Sequence, residues 1–271
     1  MNIGAWDSDS GDVFVIAECG VNHGGSVDTA YRLIEAAKQA GADAVKFQWF
    51  KTDALVQRRG PQAEALRPLE LSEGAMRALA GRCVDLDLPF LCSVFDLESA
   101  DAYLALDPVA VKIGSGELTD EKLLHHVSAA HIPMIISTGM ATMREIGIAV
   151  KLVRWETRYA LLHCVSAYPT PLDQVNLRAL DALRAFHCPV GFSDHGMWTW
   201  TPALAVARGA VIIEKHITLD RTLPGPDHMS SATPEQFAEA VWWIRQTTAA
   251  LGSGEKIPQP CEAATMKACG R

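Results

Sequence analysis

Residues 212–218 read IIEKHIT, an apolar run interrupted by an acid, a base and an imidazole in succession. In an extended chain successive side chains point to opposite faces, so Glu214 and His216 share one side while Lys215 takes the other, toward a helical layer or a partner. A second apolar run closes on Ser193-Asp194-His195. Two imidazoles at neighbouring strand ends can point at one divalent cation, and without thiolates beside them they leave coordination positions for water or substrate. Each also has a plainer alternative as a hydrogen-bonded core histidine. Lys46 and Lys112 end two further β-branched runs, and the Gly-rich turns KIGSGE (112–117) and ISTGM (136–140) follow. Ammonium groups, hydroxyls and turn N–H groups suit a bound phosphate or carboxylate.

Such groups must be positioned by regular elements. Short β-branched runs at 13–18, 43–48, 89–93, 109–113, 133–137, 160–164, 189–192 and 211–215 read as strands. Amphipathic, Ala- and Leu-rich segments at 27–40, 72–86, 97–106, 119–130, 141–154, 175–186, 199–208 and 233–251 read as helices. Ser72 and Thr233 are N-caps, the latter followed by Pro234, and Thr119 is a third candidate. Eight strand–helix units predict a single-domain (β/α)8 TIM barrel. A doubly wound open sheet is the main competitor, but the first strand is followed by GVNHGG, which lacks the GxGxxG spacing. The barrel is expected over 1–260, with a short N-terminal extension, and 261–271 is a tail. Segment 49–71 is long for a βα connection and reads as a lid or an inserted element. Trp242 and Trp243 on the last helix are expected in the core, with a subunit contact as the alternative.

Composition narrows the function. With 271 residues, 49% hydrophobic and 21% charged, the chain can bury a large core. A net charge of -8 argues against nucleic acid or an anionic membrane as the main partner, so an anionic ligand must be held locally. No apolar segment approaches the ~18 residues that span a bilayer, and MNIGAWDSDSGD does not resemble a targeting leader, so a cytoplasmic protein is expected. The seven cysteines are odd in number, lack any CxxC and lie mostly in strand-like runs; they read as reduced packing residues, Cys19 and Cys164 included.

In a barrel the reacting groups gather where strands finish. Taken in order, those ends carry Glu18, Asn22 and His23; Lys46 and Gln48; Ser93 and Asp96; Lys112, Ser115 and Glu117; Ser137 and Thr138. The next three carry His163, Ser166 and Tyr168; Ser193, Asp194 and His195; and Glu214 to His216. Any one of these has a structural explanation, but their convergence favours a site. Asp227 and His228 follow in the loop LPGPDHMSS, where a turn with an N-capping Asp is the simplest reading.

The set AECGVNHGG, VKFQ, KIGSGE, ISTGM, HCVSAYPTP, FSDHG, EKHITLD and GPDH resembles the N-acetylneuraminate (sialic acid) synthase family, with its legionaminate and pseudaminate relatives, from residue 13 to about 260. The resemblance implies a C–C bond-forming transferase that condenses phosphoenolpyruvate with an open-chain, N-acetylmannosamine-like aldehyde to give a 2-keto-3-deoxy sugar acid and phosphate. It implies a divalent cation, manganese foremost with magnesium or cobalt as alternatives, on His195 and His216. Lys46, Ser93, Lys112, Ser115, Ser137 and Ser193 would bind phosphoenolpyruvate, Gln48, Glu117, Tyr168 and Asp227 the sugar, and Glu18 would move protons. Ser166 stands where the family commonly has Asn. The family continues into a small antifreeze-like domain that reaches across a dimer; here the sequence ends at Arg271, so that domain is expected to be absent or a separate partner chain. A homodimer or higher homo-oligomer is expected.

Two alternatives accompany this one. A synthase of the 3-deoxy-heptulosonate or octulosonate phosphate type would need a further basic site, for which Arg58, Arg59 and Arg67 are candidates. A non-catalytic sugar-binding or assembly subunit would not require both a cation site and a base.

Overall fold

The computed structural model describes residues 1–55 and 61–270. Eight parallel strands close into a barrel: β3 (Phe14–Gly20), β4 (Ala44–Trp49), β5 (Phe90–Val94), β6 (Val111–Ile113), β7 (Met134–Ser137), β8 (Tyr159–Cys164), β9 (Val190–Asp194) and β10 (Ile212–His216). β10 pairs with β3 to complete the ring, which is the predicted (β/α)8 architecture. Parallel strands covered by helices are buried on both faces, and this explains their nearly unbroken apolar runs.

Two apolar layers result. Side chains facing outward, such as Val15, Val45, Phe47, Leu161 and Ile213, pack under the helices. The alternate set, Phe14, Ile16, Ala44, Leu91, Ala110, Ile135, Ala160, Leu162 and Ile212, fills the amino-terminal half of the lumen. That half is floored by a hairpin of two short strands, β1 (Asn2–Ile3) and β2 (Trp6–Asp7). Ile3 is fully buried in the lumen cluster, and the Trp6 ring lies 5.2 Å from Phe14.

The crossover helices are α1 (Val27–Gln39), α4 (Glu73–Asp85), α5 (Leu97–Leu104), α6 (Glu121–Ser128), α7 (Met143–Leu152), α8 (Ala179–Leu183), α9 (Thr201–Ala207) and α10 (Pro234–Leu251). Ser72 caps α4, and Thr233 with Gln236 forms a capping box at α10. At α6 the cap is Asp120, whose carboxylate accepts from the Leu123 N–H, and not the neighbouring Thr119. The helix predicted over 175–186 is reduced to α8 and a following 3-10 turn at Arg184–Phe186: the positive φ of Asn176 breaks it at its start, and left-handed His187 ends it.

Segment 49–71 contains α2 (Thr52–Leu55) and α3 (Pro61–Leu66), then a 3-10 turn at Arg67–Leu69, so it is an inserted helical element. Glu70 tethers it by accepting from the Thr52 N–H at 2.7 Å. Beyond α10 a 3-10 turn at Pro260–Glu262 leads into the exposed α11 (Ala263–Ala268). Trp242 and Trp243, expected in the core, are 52% and 39% exposed. The 3.6-residue period of α10 turns Phe237, Ala240, Val241 and Ile244 inward instead. Cys19, Cys83, Cys92 and Cys164 are buried, whereas Cys261 and Cys269 are exposed; all are free thiols. Among the described residues no helix is long and apolar enough to cross a membrane.

Candidate active site

At the carboxyl ends of the strands the lumen changes from apolar to charged and opens into a cavity of about 280 Å³. Its lining includes Glu18, Lys46, Gln48, Ser93, Lys112, Ser115, Glu117, Ser137, Ser166, Tyr168, Ser193, His195 and His216. Period-two alternation explains the gathering: two steps beyond the apolar layer the lumen-facing residues are Glu18, Lys46, Ser93, Lys112, Ser137 and Glu214, with Cys164 at that level on β8. Asp227 lies just outside that lining, on the loop after β10, with Oδ2 3.8 Å from His216 Nδ1. A side chain at Gly20, whose φ is +50°, would press on Asp227, Gln48 and Glu18 together. These three groups therefore converge on one backbone point.

Lys46 is the hub. Its Nζ lies 2.7 Å from Glu18 Oε2 and 3.6 Å from Glu214 Oε2, and it donates to Ser93 Oγ at 2.8 Å. Burial works against its charge, but the two carboxylates outweigh that and raise its pKa. Lys112 donates to Ser137 Oγ at 2.6 Å and to the Ile113 carbonyl at 2.9 Å; burial dominates there and lowers its pKa. Neighbouring lysines thus sit on opposite sides of their ordinary value.

The carboxylates diverge as well. Burial raises Glu18, with Lys46 opposing and the Glu214 charge adding to the rise, and Gln48 Nε2 donates to its Oε1 at 2.9 Å. Burial also disfavours the charge on Glu214, yet Lys112, Lys46 and a 2.9 Å hydrogen bond from Ser193 Oγ overcome it and bring the pKa to about 2. Paired groups driven apart in this way divide into an acid and a base. Glu214 shares a face with His216 by simple alternation, and its place in EKH is the sequence signal for it, although the resemblance implies no role for it.

The Ser115 hydroxyl accepts from the Gly139 N–H at 3.0 Å and lies 3.1 Å from Cys164 Sγ, which joins the two Gly-rich turns. A side chain at Gly139 would strike Ser166 and Ser115. Glu117 folds against Gly114, and burial raises its pKa. His163 faces away from the lumen: its Nε2 bonds the Val175 carbonyl at 2.8 Å and its ring stacks on Phe192, so it is a core histidine. Arg67 donates to Asp53 at 2.7 Å, while Arg58 and Arg59 lie outside the described residues.

His195 and His216 face each other with ring centroids 5.5 Å apart, and the Tyr168 ring lies tilted against His195 at 4.3 Å. His195 Nδ1 contacts the Val165 carbonyl at 2.8 Å, which requires the proton on Nδ1 and leaves a lone pair on Nε2. His216 Nδ1 is buried without a hydrogen-bond partner, and burial brings the His216 pKa to about 4. Burial lowers the His195 pKa too, which favours the neutral ring, and the orphaned His216 nitrogen fits a donor to a divalent cation. Among the described residues no third histidine, cysteine or carboxylate completes the group, so water or substrate would fill the other positions.

A closed ring of parallel strands with charged groups at its carboxyl mouth defines a (β/α)8 barrel of the enzyme class. The chain belongs to the NeuB family, whose profile matches residues 33–256. It is 42% identical to the N,N'-diacetyllegionaminic acid synthase of Legionella pneumophila, across 92% of this chain and 76% of that protein. It is 35% identical to a pseudaminic acid synthase of Campylobacter jejuni, across 94% of this chain and 79% of that protein. Among solved structures, the N-acetylneuraminic acid synthetase of Leptospira borgpetersenii, crystallised with citrate, superimposes with a TM-score of 0.93 at 32% identity. That match covers 100% of this chain and 96% of that one.

Proposed function

We propose that this chain joins C3 of phosphoenolpyruvate to the carbonyl carbon of an open-chain sugar aldehyde, giving a 2-keto-3-deoxy sugar acid and inorganic phosphate. The observation that carries the reading is Lys46 held between Glu18 and Glu214, two carboxylates of opposite protonation tendency, beside Lys112 in one cavity. Pure sugar binding would require no such division. Membership of a family with diacetyllegionaminic and pseudaminic acid synthases supports an N-acetylmannosamine-like or related acceptor.

In this reading Lys46 and Lys112, with Ser93, Ser115, Ser137, Ser166 and Ser193, receive the phosphate and carboxylate of phosphoenolpyruvate. Gln48, Glu117, Tyr168 and Asp227 contact the sugar. Glu18, the carboxyl that burial pushes toward its acid form, is the proton donor to the aldehyde oxygen as the enol-ether C3 forms the new C–C bond. Positive character then develops at C2, where the ionised Glu214 offsets it and takes a proton from the water that adds there. The C2–O bond to phosphate breaks, the new hydroxyl gives its proton to the leaving phosphate, and a ketone remains. A divalent cation on His195 and His216, with manganese the first candidate, would supply Lewis-acid polarisation of the aldehyde.

The test is phosphate release from phosphoenolpyruvate with a panel of aldoses, with added Mn2+ or with exhaustive chelation. Release that requires both an aldose and the cation is expected. Turnover that survives metal removal would refute the role of the two imidazoles, and no release with any aldose would favour a binding subunit.

A further inference from the structure

Lys215 takes no part in the chemistry above, yet it is as deeply buried as the groups that do. Its side chain leaves β10 on the outer face, and its Nζ lies 2.8 Å from Asp194 Oδ2 and 2.8 Å from the Gly196 carbonyl. Asp194 Oδ1 in turn accepts from the Gly196 N–H at 2.8 Å. The ion pair is almost completely excluded from solvent, with side-chain exposures of 3% and 1%.

Lys215 and Asp194 are register partners on adjacent strands, and each is followed immediately by one of the two imidazoles. The pair therefore ties β9 to β10 one residue before His195 and His216. It also pins both sides of the turn whose middle residue is His195. On its other side His195 is held by the loop after β8, through Val165 to the ring and from the Thr170 N–H to the His195 carbonyl at 3.0 Å. A side chain at Gly196 would press on Asp194 and on the Trp198 ring, so the turn has no slack there.

Stability alone is a poor reason for this arrangement. Removing two charges from water largely cancels their attraction, and well-packed apolar residues in place of a buried ion pair are often as stable or more so. Directional bonds from one ammonium to a carboxylate and to a carbonyl two residues further on supply something apolar packing does not, namely a fixed angle between the two strand ends.

The geometry points to the Lys215–Asp194 pair as a positioning element that sets the separation and aim of His195 and His216 for a divalent cation. The inference rests on the cation reading proposed above.

Binding of Mn2+ alone to the full chain, followed by the electron paramagnetic resonance signal of the free ion, separates the two. The wild type is expected to bind Mn2+, and Lys215→Met to weaken binding about tenfold or more, as loss of an outer support to a ligand does. The double variant Asp194→Leu/Lys215→Met is expected to regain the thermal midpoint but not the Mn2+ affinity. Wild-type affinity in a double variant that has regained its stability would overturn the inference while leaving the cation reading intact. No Mn2+ binding by the wild type would overturn both. Should the double variant fail to fold, the isosteric Asp194→Asn carries the test: a measurable loss of Mn2+ affinity supports the inference, and unchanged affinity overturns it.

Discussion

The two halves of the barrel lumen are built from the same eight strands and differ by a single side-chain step. Toward the amino ends Ile16, Ala44 and Ile212 belong to an apolar plug floored by Ile3; two residues further along the same strands stand Glu18, Lys46 and Glu214. The dry half makes the charged half effective. With water excluded from below, the attraction of Lys46 and Lys112 for Glu214 is weakly screened, and one carboxyl can be held ionised while its neighbour is pushed toward the acid form. In the proposed reaction the floor biases protonation and the rim performs the chemistry.

Substitutions should separate these roles. His216→Ala is expected to abolish turnover while circular dichroism keeps the barrel signature; residual activity near wild type would remove the rim from the account. Lys112→Ala leaves Ser137 and the bound anion without their cation, and at about 4 kcal/mol it should raise the Michaelis constant for phosphoenolpyruvate close to a thousandfold. An unchanged constant would count against that anion site. In the floor, Leu162→Ala should cost about 3 kcal/mol of unfolding free energy by denaturant titration, with Michaelis constants unaltered.

A smaller effect probes the shell outside the lumen. His23 is buried, its Nδ1 accepts from the Gly25 N–H at 3.0 Å, and burial lowers its pKa to about 4. Its neutral form is favoured on folding, so its contribution is complete above the unfolded value of 6.5 and is lost as pH falls through 6.5 toward 4. By pH 5 the loss should be about 2 kcal/mol, and His23→Gln should remove that slope. A variant with the wild-type pH dependence would show that His23 is not its source.

What the sequence revealed follows from periodicity. Place at the strand ends brings Glu18, Lys46, Lys112, Ser137 and Ser193 to the barrel mouth, and alternation of period two puts Glu214 and His216 on one face, because parallel strands tolerate only one register once both faces are buried. The same rule sent Lys215 outward. It could not identify Asp194 as the partner, because strand register is a tertiary property. The floor was invisible for a different reason: β1 and β2 have two residues each, too short for any period to register. Trp242 and Trp243 show the limit of hydrophobicity without phase, since the face α10 buries is set by Phe237, Val241 and Ile244. Glu214 shows the converse, a residue in correct phase whose importance emerges only from the lysines that surround it.

The central claim is tested most directly by incubating the protein with [3-13C]phosphoenolpyruvate, Mn2+ and an N-acetylated aldose, and following the label by carbon NMR. The account predicts a labelled methylene bonded to the former aldehyde carbon of a 2-keto-3-deoxy sugar acid, appearing only when the aldose is present. Label found solely in the methyl group of pyruvate, or remaining in phosphoenolpyruvate with every aldose offered, would contradict it.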